Sequence, residues 1–106
     1  MIRRSILAGL AIAGFALPAA AQSTDPSFRV NNRGAMQINE IYVSSSADPN
    51  WGQDLLGANV LPVGNAFLIQ LPQGQCVNDI RIVWANGQPQ ERRQVNTCNL
   101  TDIAFP

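Results

Sequence analysis

The chain has 106 residues, 46% of them hydrophobic and 13% charged, with seven arginines against seven acids and neither histidine nor lysine. Without histidine there is no Ser-His-Asp or Cys-His nucleophile, no imidazole base and no histidine-held zinc, copper or haem. Without lysine there is no Schiff-base nucleophile, no phosphate-cradling P-loop and too little positive charge to track a nucleic-acid backbone.

Met1-Ile2-Arg3-Arg4-Ser5 opens the chain with two unopposed positive charges, the apolar run Ile6 to Leu17 follows, and Pro18-Ala19-Ala20-Ala21 supplies small residues in an A-x-A pattern. That order reads as a cleavable signal peptide over residues 1–21. The apolar run falls short of the roughly 20 residues a spanning helix needs. Arg3-Arg4 leaves a twin-arginine route open beside the general secretory one. Residues 22–106 are then a single small domain, periplasmic or secreted, with no membrane anchor after cleavage. It keeps Arg29, Arg33, Arg81, Arg92 and Arg93 against all seven acids and is slightly acidic.

Residues 22–27, polar with Pro26, read as a frayed arm. Phe28-Arg29-Val30 alternates, and Asn31-Asn32-Arg33-Gly34 has turn composition. Ala35 to Ser44 reads as a strand whose alternation slips between Ile38 and Ile41, which predicts a β-bulge near Asn39-Glu40. Residues 45–57 form a loop in which Asp54-Leu55-Leu56 could make one helical turn ended by Gly57. Pro62-Val63-Gly64-Asn65 is another turn, and Ala66 to Leu71 a strand with Phe67, Ile69 and Leu71 on one face. Val77 to Ala85 is rich in β-formers and leads to Asn86-Gly87, the strongest short hairpin signal. Gln88 to Asn96 returns as a polar strand whose Pro89 and charged Glu91, Arg92 and Arg93 mark a sheet edge. Leu100 to Phe105 closes the count. About six short strands between turn signals, with no amphipathic helix, predict an all-β fold, a small sandwich or partly open barrel.

Cys76 and Cys98 flank this hairpin. An even count in a small exported chain reads as a structural disulfide. A two-residue Asn86-Gly87 turn sets Cys76 opposite Thr97, one residue short; a three-residue loop with left-handed Gly87 and an adjoining bulge brings the two cysteines together. A catalytic thiol would need a basic partner and a zinc site more ligands, and the chain supplies neither. Within the hairpin, Arg81 is expected to pair diagonally with Glu91, and Trp84 to continue the apolar face of Ile80 and Ile82.

Several short motifs together resemble a group of short exported bacterial proteins of unknown function. They are Phe28-x-Val30; Ile38-x-x-Ile41-Tyr42-Val43-Ser44; Asp48-x-x-Trp51-Gly52-x-Asp54-x-Leu56; Cys76-x-x-Asp79-Ile80-Arg81; and the closing Cys98. Members of the group often carry an aromatic where this chain has Asn78. The resemblance implies the disulfide and no particular activity.

The chemistry that remains concentrates in the 45–57 loop. Trp51, between Pro49-Asn50 and Gly52, lies outside any strand alternation and reads either as a binding contact or as an apolar plug over an open end of the core beside Leu55 and Leu56. Asp48, Asn50 and Asp54 could offer oxygens to Ca²⁺, although the closing glutamate of an EF-hand is missing and local amide capping is the simpler role. A carboxylate-dependent hydrolase is a third possibility. The expectation from these residues is a non-enzymatic binding or interaction module with no cofactor, acting on an envelope or extracellular partner. Trp51, Asp48, Asn50 and Asp54 are its candidate binding residues.

Overall fold

The computed structural model describes residues 23–106; the signal peptide read over residues 1–21 lies outside them. Six strands follow in order: β1 (Phe28–Asn32), β2 (Ile38–Ser45), β3 (Ala66–Ile69), β4 (Val77–Trp84), β5 (Pro89–Asn96) and β6 (Asp102–Phe105). They form two three-stranded sheets, β3-β1-β6 and β2-β4-β5, which do not close into a barrel. All pairings are antiparallel except β1 with β6, which is parallel. The expected all-β fold, a small sandwich or partly open barrel, is therefore present.

Alternation puts one face of each sheet inward. Phe28 and Val30 from β1, Ile69 from β3 and Phe105 from β6 meet Ile38 and Ile41 from β2 and Ile80 and Ile82 from β4. The long connection from β2 to β3 adds Leu56 and Leu61, both buried. Leu61 exchanges both backbone hydrogen bonds with Ile38, and Leu55 N–H donates to Ile41 O. This connection thus covers the outer edge of β2. The bulge expected in β2 is found at Asn39, where Ile38 faces Trp84 but Glu40 already faces Val83.

The N-terminal arm is not frayed as its composition predicted. Pro26 is fully buried, Gly74 N–H donates to Thr24 O and Ser27 N–H donates to Asp25 Oδ1. Asn32, expected in a turn, is instead the last inward residue of β1 and is wholly buried. Its side-chain amide donates to Met36 O and Leu61 O, and its Oδ1 accepts from Gly34 N–H, so every polar atom is satisfied.

The disulfide Cys76–Cys98 is formed, with a Cα–Cα separation of 5.1 Å, but the register reaches it by another route than the one expected. The hairpin loop does hold three residues with Gly87 at φ +85°. They are Ala85, Asn86 and Gly87, since Val83 faces Pro89 and Trp84 N–H donates to Gln88 O. That loop alone would carry Cys76 toward Asn96, away from Cys98. One extra residue in β5 between Arg92 and Val95, with Gln94 at φ 54°, restores a position, and Thr97 N–H donates to Cys76 O. A 3₁₀ turn, Thr97–Asn99, then swings Cys98 back, with Asn96 Oδ1 accepting Cys98 N–H. Such a bond is the mark of a non-cytoplasmic, oxidising compartment. Among the described residues no helix is long and apolar enough to cross a membrane.

Strand β5 lies at the sheet edge, as its sequence predicted. Arg92 faces inward there: its guanidinium covers the Phe105 ring at 4.6 Å and donates to Ala104 O, tying the edge of one sheet to the last strand of the other. An inward charge of this kind is a common guard against edge-to-edge pairing.

Across the outer face of the other sheet, Arg29 grips Asp102 through two bonds of 2.9 Å, and Asn31 adds a third to Asp102. These partners hold the Asp102 carboxyl down at about 2. A carboxyl lowered in the folded state contributes stability that is complete above its unfolded value, near 3.8, and vanishes as pH falls through about 2. Asp79 and Glu91 are lowered as well, with the same sign. Chemical denaturation midpoints should therefore drop between about pH 4 and pH 2. Asp102→Asn should flatten that slope; a slope unchanged by the substitution would show that this cluster does not drive the acid response.

Candidate functional site

The bulge in β5 organises the region around Trp51. An extra residue in a ladder leaves an amide without its strand partner, and here Gln94 N–H is taken by Asp79 Oδ1 at 2.9 Å. The Asp79 side chain is only 7% exposed. Besides Gln94 it accepts from the Ser46 hydroxyl at 2.7 Å and from Arg93 at 3.1 Å. The Ser46 hydroxyl and the Gln94 amide are the main reasons its carboxyl sits below the ordinary range, with Arg93 adding to them against desolvation. Asp79 thus satisfies a strand amide, and it also fastens loop 45–57 to β5 through Ser46.

Arg93 is held from three sides. It bonds Asp79, bonds Glu91 at 2.8 Å, and lies over the Trp51 ring with its guanidinium carbon 4.8 Å from the centroid. Glu91 in turn accepts from Arg81 at 2.6 Å, directly opposite in register rather than diagonal as expected. Arg81 and Arg93 together draw the Glu91 carboxyl down. A continuous charged row therefore runs over the outer face of β4 and β5 and ends on an indole.

Trp51 is half-buried and does not belong to the apolar cluster, whose loop contributions are Leu56 and Leu61. It borders a surface groove of about 320 Å³ together with Val43, Ser44, Ser45, Asp48, Asn50, Gly52, Leu71 and Gln75. Asp48 Oδ1 accepts Asn50 N–H at 2.9 Å, a local turn that fixes both residues at the groove wall. Asp54 does not line the groove. Its Oδ1 accepts from Ile41 N–H and Leu56 N–H, both at 2.9 Å, pinning the loop to the β2 bulge. Three of the four candidate binding residues thus meet in one place and the fourth serves the scaffold. Among the described residues no three Asp, Glu, Cys or His side chains gather as a metal site.

Trp84 is half-buried against the core cluster and donates its indole N–H to Gln90 Oε1 at 3.2 Å. Its ring lies so close to Gly34 that a Cβ there would come within 2.6 Å of it. The carboxyls of Asp25, Asp79, Glu91 and Asp102 are all lowered, Asp25 by the Ser27 amide. A hydrolase acid that donates a proton at neutral pH needs the opposite displacement.

The sequence pointed to Trp51, Asp48 and Asn50 but not to Gln75 or Leu71, which line the groove from other turns, nor to Arg93, which lies over the Trp51 ring. A usable signal for Arg93 was its place on an edge strand among charges of both signs; nothing local paired it with an indole. No family model, curated protein or solved structure matches this chain, so no relative lends the groove a function.

Proposed function

We propose that this is an exported protein whose β domain works as a non-enzymatic binding module of the cell envelope, with residues 45–57 and Trp51 as its contact face. The observation that carries the reading is the position of Trp51: a large indole left out of the apolar cluster, held in place by Arg93, and lining a groove with polar side chains. Tryptophan and arginine are enriched at binding hot spots, and a pre-fixed side chain loses little conformational entropy when a partner docks. The N-terminal sequence pattern and the disulfide support export; the motif resemblance to short exported bacterial proteins agrees with it. The lack of histidine and lysine weighs against an enzyme.

Trp51→Ala tests the reading by magnitude. A core plug of this size would cost about 3–5 kcal/mol on truncation. A half-exposed ring held by one cation–π contact should cost about 1 kcal/mol, while capture of envelope components falls away. Denaturant titration and cross-linking in the native envelope measure the two effects. A variant that keeps every partner would end the assignment of this face.

A further inference from the structure

We propose that the groove beside Trp51 takes an uncharged saccharide, an inference that rests on the binding-face reading above. The groove joins an aromatic ring and two apolar side chains, Val43 and Leu71, to a rim of Ser44, Ser45, Asp48, Asn50 and Gln75. A sugar ring has the matching character, with apolar C–H faces and a girdle of hydroxyls that each need a donor or an acceptor.

The rim has that capacity to spare. Asp48 uses Oδ1 on the Asn50 backbone, and Gln75 uses its amide N–H₂ on Asn78 Oδ1. Among the described residues, the second Asp48 oxygen, Gln75 Oε1, the Ser44 hydroxyl and the whole Asn50 side-chain amide have no hydrogen-bond partner. Together these offer both donors and acceptors. Asp48 and Gln75 are also oriented by the bonds they already make.

Charge selects against the alternatives. Among the described residues no cation lines the groove; Arg93, which lies over the Trp51 ring, is already matched by Glu91 and Asp79. Asp48 is then the unbalanced charge, and it repels phosphates, carboxylates and sulfated ligands. At about 320 Å³ the groove is at the small end of the range for small-ligand sites, which suits one ring or the end of a chain.

The test is a titration of the isotopically labelled, oxidised protein, as recovered from its own cells, followed by amide and indole resonances. The probes are cellotriose, maltotriose and triacetylchitotriose, each taken to millimolar concentration. At least one should give saturable shifts confined to the Trp51 indole and the amides of residues 43–52 and Gln75. Asn50→Ala and Asp48→Asn, both at exposed positions, should each weaken that probe about tenfold, as expected for one lost hydrogen bond to a polar ligand. No saturable shift with any probe, shifts that map elsewhere, or affinity indifferent to both substitutions would overturn the inference. Silent sugars with envelope capture still dependent on Trp51 would remove the saccharide and leave the binding face standing; silent sugars with capture independent of Trp51 would remove both.

Discussion

Cys98→Ala should destabilise the domain by about 2–5 kcal/mol, a large part of the roughly 5–15 kcal/mol available to a protein of ordinary stability. The bond joins positions 22 apart, for which the entropy of closing the unfolded chain accounts for about 3 kcal/mol. The native side adds to this. Cys98 is buried and sits in the 3₁₀ turn between the satisfied pair Asn96–Cys98 and the wholly buried Asn78, whose amide bonds Gln75 O and the Thr97 hydroxyl. Loss of the bond should loosen that corner first. Urea titration of the oxidised protein, the reduced protein and the variant is the measurement. The reduced protein and the variant should share a midpoint well below that of the oxidised form; a reduced protein as stable as the oxidised one would refute the expectation.

The second large effect is expected inside the core, at Asn32. Its amide gathers Met36 O, Leu61 O and Gly34 N–H from the turn after β1 and from the β2–β3 connection. Asn32→Leu keeps the branched shape and removes all three bonds. Leu61 O retains Ile38 N–H, but the part-buried Gly34 N–H loses its acceptor. At about 1 kcal/mol for each of the three hydrogen bonds lost, the total is about 3 kcal/mol. In a domain of this size each kcal/mol lowers the melting temperature by roughly 4–8 °C. A calorimetric scan decides it, and a variant that melts with the native protein would show that packing outweighs the polar clamp.

Asn32 also shows where the sequence was legible and where it was not. The strands, the bulge at Asn39, the left-handed Gly87, the edge character of β5 and the disulfide all leave local traces: alternation, its slips, turn residues, an even cysteine count. Phe28-x-Val30-x-Asn32 even carries the period that places Asn32 inside, as Asn78-x-Ile80-x-Ile82 does for Asn78. At Asn32, though, the turn composition of Asn31-Asn32-Arg33-Gly34 masks that period. The bulge at Arg93-Gln94 left no local trace, because it is specified by Asp79 from the neighbouring strand rather than by β5 itself. The groove divides in the same way. Asp48, Asn50 and Trp51 are near one another in sequence and were found together. Gln75 and Leu71 join them at the groove, and Arg93 over the Trp51 ring, only through strand order, which no pattern of hydrophobicity encodes.

That strand order has a consequence for when the molecule can fold. Among the described residues β1 is the first strand and the centre of its sheet, yet its neighbours are β3 and the last described strand, β6. A chain threaded across a membrane from its N-terminus would deliver β1 first and could not complete that sheet until Phe105 had followed. Closing such distant ends before the contacts repay the lost entropy is slow. Delay of this kind would keep an emerging chain extended and transportable, with the native state reached only on the far side.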